Sequence, residues 1–297
     1  VTFRLGLSGG IVPTDPAAMD VTFARTARAL GATVLATHLA TPPAELVTTG
    51  SAARARALLA EHGIAIVQAT GSRPALVTDD PARLAADLER LARAGEAAAA
   101  LGSPWVLTGC GSLHPEHPYG PHPGNHAPAT RDRLVAALRA AAPRAADAGV
   151  GIALEAHVAT TLDTPESIAA ILGEVGHPAV RLNFDPVNLL GTLDAAFANG
   201  AEIARMAALL GPFYAPTAHL KDVVVHPELV VRIAEGEPGE GILDLDAFYA
   251  AARGLGPEVA VIVEHLPAER VPAAIARVRA AAADRGIHFA APGGAHG

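Results

Sequence analysis

The chain has 297 residues but only one cysteine, Cys110, so no internal disulfide can form and the usage fits a reducing compartment. Aromatic residues supply just 4% of the positions against 51% apolar overall, so the core must be built from aliphatic side chains and alanine. An alanine-rich core favours many helices packed closely on something else. No apolar run approaches the roughly 20 residues that a membrane span needs. No charged-then-apolar leader opens the chain, since "VTFRLGLSGG" reads as a strand entering a turn. A cytoplasmic protein with no membrane partner is the expectation. Basic runs are missing too: 22 Lys and Arg face 30 Asp and Glu, for a net charge of −8. Nothing there could track a phosphate backbone, which argues against a nucleic-acid partner.

What is present is a beat. Short apolar runs recur as "FRLGLSG" (3–9), "ATVLATHL" (32–39), "IAIVQATG" (64–71), "PWVLTGCG" (104–111), "VGIALEAH" (150–157), "AVRLNFDP" (179–186), "YAPTAHLKD" (214–222) and "VAVIVEHL" (259–266). Such continuous runs are expected of strands buried on both faces. Amphipathic alanine and leucine segments separate them. Several open on a cap followed by proline, as at Asp15-Pro16, Asp80-Pro81 and Thr164-Pro165-Glu166. Gly31, Gly63, Gly102 and Gly149 close helices just before the next strand.

Eight strand-then-helix units predict an α/β fold, a single (β/α)8 TIM barrel over 1–297, close to the usual length of about 250 residues. The competing doubly wound sheet needs a glycine fingerprint after its first strand, and "SGGIVP" is a poor phosphate cradle.

In such a barrel the chemistry sits where the strands end. Strands five to eight end in "ALEAH", "LNFDPVN", "AHLKD" and "VIVEH", and so deliver Glu155, Asp185, His219 and Glu264 to adjacent points of one rim. Taken alone, Asp185 before a proline reads as a turn or cap, and His219 as a packed core histidine. Glu155 and Glu264 each follow several buried apolar residues, where an unpaired carboxylate would carry a large desolvation cost. A shared cation removes that cost for all three acids. Three carboxylates and an imidazole make a mostly oxygen site for one divalent cation, with Mn²⁺ preferred and Mg²⁺, Co²⁺ or Zn²⁺ as alternatives.

At these residues the chain resembles the xylose isomerase-like TIM barrel superfamily of sugar phosphate isomerases and epimerases. The tokens are "LEAH" (154–157), "NFDPVN" (183–188), "HLKD" (219–222), "GEGILDLDAF" (239–248) and "VEH" (263–265). The resemblance implies a metal held by Glu155, Asp185, His219 and Glu264, with Glu155 and Glu264 also serving as acid and base. It implies an isomerase or epimerase of a small keto-sugar or related polyhydroxy carbonyl compound. Proton abstraction beside a metal-bound carbonyl would give an enediolate. The same intermediate serves a lyase or dehydratase, of the inosose, dehydroshikimate or C-glycoside type, if a β-substituent leaves. A non-catalytic sugar-binding barrel is the reading from another class. Homodimers or homotetramers are implied by analogy only. Two departures weigh against a strict ketose 3-epimerase: Thr161 stands where those enzymes carry a second Glu, and Asn188 where they carry His.

Expected substrate contacts are His157, which shares strand parity with Glu155, and Asn188, just past Asp185. Lys221 shares the parity of His219, and Arg232 lies in the long seventh loop. His265, of opposite parity to Glu264, is expected to pack outward. The His- and Pro-rich stretch 109–129 follows the fourth strand and holds four of the thirteen histidines. Its prolines deny these a common helix face, so it reads as a substrate-side loop in which His122 or His126 touches substrate.

Overall fold

The computed structural model describes residues 1–291; residues 292–297 of the expected barrel span lie outside the described residues. Its strands in chain order are β1 (Thr2–Leu7), β2 (Val34–His38), β3 (Ala65–Thr70), β4 (Trp105–Gly109), β5 (Gly151–Glu155), β6 (Val180–Phe184), β7 (Tyr214–Leu220), β8 (Asp222–His226), β9 (Arg232–Gly236) and β10 (Glu258–Val263). Eight of them close a barrel in the order β1-β10-β7-β6-β5-β4-β3-β2, while β8 and β9 pair separately. The barrel pairings are parallel, and closure is made by β1 against β10, in register from Thr2↔Glu258 to Leu7↔Val263. The (β/α)8 barrel read from the sequence is the fold observed.

Alternation along the strands sorts the side chains. Leu5, Leu35, Ile152, Leu182 and Val261 face the helical layer and join one large cluster with helix residues such as Leu91, Leu134 and Ile168. Each such burial stabilises by about 1.5–3 kcal/mol. On the opposite faces of their strands, Val34, Ala36, Ala260 and Ile262 form a separate small cluster. The interior is tight here: a Cβ on Gly6 would come within 2.8 Å of Ile262 Cγ1.

The local signals act as their chemistry predicts. Asp80 accepts from the amides of Ala82 and Arg83 at the start of helix 81–101, and Pro81 takes the first helical position. Gly102 ends that helix at φ +74°, a conformation other residues rarely adopt. The sequence reading did not contain the antiparallel ribbon of β8 and β9, which runs out of the seventh strand. Its tip exposes Leu229 and Val230. Among the described residues no helix is long and apolar enough to cross a membrane.

Between β4 and the helix Pro128–Asp147 the chain makes its long loop, closed by a 3₁₀ turn at Pro123–His126. Asn125, fully buried, organises it. Its Oδ1 accepts from the Leu113 amide (2.9 Å), and its Nδ2 donates to Ser112 Oγ (2.9 Å), Gly120 O (3.2 Å) and Ala159 O (2.7 Å). The loop histidines shape turns: Nδ1 of His114, His117 and His122 accept from backbone amides two or three residues on. The result is a braced loop.

Candidate metal centre and substrate cavity

Four strand ends meet at the mouth. Glu155 is the last residue of β5, Asp185 follows β6, His219 lies in β7 and Glu264 follows β10. One ligand-type atom from each falls within 4.8 Å of all the others. His219 Nδ1 stands 3.4 Å from Glu155 Oε1, 3.7 Å from Asp185 Oδ2 and 2.9 Å from Glu264 Oε2. Even so, His219 Nδ1 has no hydrogen bond of acceptable geometry, and neither has Asp185 Oδ1; both are buried. Orphaned buried polar atoms are costly, and an ion shared by the cluster would satisfy them. Among the ionised side chains at the cluster, three carboxylates against the Lys221 ammonium leave two net negative charges, which one divalent cation balances. The residues fit a divalent metal.

The other oxygens of the acids are held by donors. Tyr119 Oη donates to Glu155 Oε2 (2.9 Å). Lys221 Nζ donates to Glu264 Oε1 (3.0 Å) and lies 2.8 Å from Asp185 Oδ2, which also accepts from Asn188 Nδ2 (2.9 Å). The imidazole is set from below: His219 Nε2 meets Gln68 Oε1 at 2.9 Å. Gln68 Nε2 in turn donates to Asn183 Oδ1 and Thr217 Oγ1, and Thr217 donates to Asn183 Oδ1. An acceptor at Nε2 puts the ring proton there and leaves the Nδ1 lone pair for an ion.

Charge states follow from these contacts. Burial opposes a charge on Lys221, but Asp185, Glu264 and Glu155 outweigh it and hold the ammonium well above its ordinary range. Burial likewise pushes Glu155 and Glu264 up, and the imidazole of His219 with the Lys221 charge brings both below the usual carboxylate range. Tyr119 is pushed up, first by burial and then by Glu155, so its phenol stays protonated. His157 is lowered by burial and by the Lys221 charge. Its Nδ1 accepts from the Ala159 amide, so the neutral ring carries its proton on Nε2.

A cavity of about 510 Å³ opens over the cluster. Of the substrate contacts expected from sequence, His157, Asn188 and Lys221 line it. Arg232, His122 and His126 do not. Arg232 is exposed and turned to Glu228 (2.6 Å), because on β9 it alternates with Glu235, whose side chain faces the cavity. His122 caps the turn before Gly124, and His126 pairs with Asp163 (2.9 Å). From that loop His117 and Tyr119 line the cavity instead. His265, expected to pack outward, also lines it. Its φ of +58°, the only positive value at a non-glycine among the described residues, breaks the strand alternation on which that expectation stood. There Nδ1 meets Glu235 Oε2 at 3.0 Å, which raises the imidazole pKa. Sequence reasoning missed Tyr119, Glu235, His38 and Arg73, all of which line the cavity from loops or strand ends. Arg73 rides on a segment pinned by the buried Asp87, whose Oδ2 accepts from the Ala75 amide (2.7 Å).

The family description "Xylose isomerase-like TIM barrel" matches residues 24–288. The chain belongs to that family. Similar solved structures include a xylose isomerase-like TIM barrel protein from Mycobacterium smegmatis in complex with magnesium, 20% identical, with TM-score 0.66 and 93% of this chain and 94% of that chain covered. D-psicose 3-epimerase from Clostridium cellulolyticum H10 is 15% identical, with TM-score 0.69 over 97% and 100%. A probable 3-DHS dehydratase from Bacillus anthracis is 16% identical, with TM-score 0.69 over 93% and 98%. At these identities the likeness speaks for the fold. No curated protein matches the chain.

Proposed function

We propose that the protein is a divalent-metal-dependent isomerase or epimerase of a small keto-sugar or related polyhydroxy carbonyl compound. The observation that carries this reading is the convergence of Glu155, Asp185, His219 and Glu264 within 4.8 Å at the mouth of the barrel. These four would hold the ion, with Mn²⁺ preferred and Mg²⁺, Co²⁺ or Zn²⁺ as alternatives; magnesium accompanies one relative of the same fold. Once bound, a divalent cation supplies Lewis acidity towards a carbonyl and its neighbouring hydroxyl.

The chain's own residues do the rest. Glu155 and Glu264 stand on β5 and β10, with β6 and β7 between them in the barrel ring, so they flank whatever occupies the mouth. One takes the proton from the carbon beside the carbonyl, and the other returns a proton on the opposite face or at the neighbouring atom. Tyr119 and Lys221 keep the two carboxylates oriented through Glu155 Oε2 and Glu264 Oε1. His157 and Asn188 hold substrate hydroxyls.

A lyase or dehydratase is the second reading. It is favoured by Thr161, which bonds to Asn125 O (2.9 Å) and does not line the cavity, so no second glutamate enters there. The test is to incubate metal-loaded protein with a panel of keto-sugars in deuterated water. Deuterium at the α-carbon with unchanged product skeleton supports isomerisation, loss of water or an aglycone supports the second reading, and no exchange with any member sinks both.

A further inference from the structure

A second cavity, of about 440 Å³, lies beside the first and shares His157, Asn188 and Glu235 with it. The rest of its wall has a different chemistry. Val158, Val187, Leu190, Val223, Val231 and Ile233 line it, and among the described lining residues only Glu235 is acidic or basic apart from His157. Strand geometry explains the change of character. On β9 and the residue before it, Val231, Ile233 and Glu235 alternate onto one face, so one strand offers a carboxylate to the polar cavity and aliphatic carbon to its neighbour. Val231 is 55% exposed, so the chain itself leaves part of this wall uncovered.

A sugar cannot use such a wall. Its hydroxyls would exchange water for aliphatic carbon and lose their hydrogen bonds. A sugar at the metal centre has no need of the space either, since the first cavity alone lies within the roughly 300–1,000 Å³ that houses a drug-sized ligand. An apolar group covalently attached to that sugar is what gains by entering the second cavity. Continuity through His157, Asn188 and Glu235 puts the two parts within one molecule's reach.

We infer that the substrate is a sugar ketone carrying an apolar ring substituent, with the polyhydroxy part over the metal centre and the substituent against Val187, Leu190 and Ile233. This rests on the reading of the first cavity as a sugar site. It narrows the substrate class from free keto-sugars to glycosides or similar conjugates with an apolar group.

The test compares the methyl and 2-naphthyl β-glucosides, each oxidised to the 3-ketone, by titration calorimetry on the metal-loaded protein. The naphthyl compound is expected to bind at least about tenfold more tightly, the return on burying a modest apolar area. That advantage is expected to vanish in Ile233→Asp and in Val231→Asp, the second variant lying at a position already half exposed. Equal binding of the two probes, including no measurable binding of either at millimolar concentration, overturns the inference. An advantage that survives both substitutions overturns it as well. So does a change of oligomeric state in either variant with the naphthyl preference intact, which would give the wall to a second copy. Failure of the isomerase reading shows separately, as absence of deuterium exchange, and leaves the binding ratio readable.

Discussion

Tyr119 donates its phenol proton to Glu155 Oε2 across 2.9 Å, joining the long loop after β4 to the end of β5. The other carboxylate oxygen, Oε1, is the one nearest His219. Removing the hydroxyl should leave the fold intact and let the carboxylate rotate. Tyr119→Phe is expected to lower kcat by about tenfold or more, the scale of one hydrogen bond to a charged group, about 1.5–3 kcal/mol. Steady-state kinetics beside a melting curve separates this from unfolding: an unchanged kcat would mean that Glu155 is held by other contacts.

Gln68 should matter for metal retention although it is fully buried beneath the centre. Gln68→Leu removes the acceptor of the His219 Nε2 proton and is expected to weaken metal affinity about 10–100-fold. Titration calorimetry measures it, and Gln68→Glu, which keeps an acceptor, should recover part of the loss. Equal affinities in all three proteins would remove Gln68 from the account.

The four ligand-type residues should separate into two kinds of defect. Glu155→Gln or Glu264→Gln is expected to abolish turnover even at saturating metal, because the acid or base is gone. Asp185→Asn and His219→Ala should first lower the metal content found by elemental analysis after dialysis. Near-normal activity in either glutamine variant would show the acid and base assignment to be wrong.

Chelation should destabilise the protein. A cation at a hundred times its Kd contributes about 2.7 kcal/mol to folding, so stripping it is expected to lower Tm by roughly 5 °C or more. Scanning calorimetry with and without chelator reads the shift, and restoring metal should restore it.

Cys110 is fully buried, and burial pushes its thiol up. It should therefore resist a disulfide-exchange reagent in the native protein at mildly alkaline pH and react once unfolded. Rapid colour development with native protein would place the thiol at an accessible surface.

The barrel and the four converging residues were legible because they depend on strand periodicity. Each apolar run ends on the ligand-type side chain, and parallel order in a closed barrel brings those ends together. The remainder of the cavity comes from segments without a period. Tyr119 reaches Glu155 only because Asn125 and the turn-forming histidines brace the loop, and long-range bonds of that kind leave no local pattern. His265 failed for another reason: alternation holds only while φ stays extended, and it does not at +58°. Arg232 faces away because the seventh loop is itself a ribbon with its own parity.

The polar layer of Gln68, Asn183 and Thr217 limits what an engineer can do with this barrel. In the ring order β3 lies diametrically across from β7, so Gln68 reaches over the full bore to hold the histidine. Refilling a barrel interior with valine and isoleucine, its common occupants, is a natural route to a more heat-resistant protein. Here that repacking would raise the melting point of an apoprotein and forfeit the centre above it.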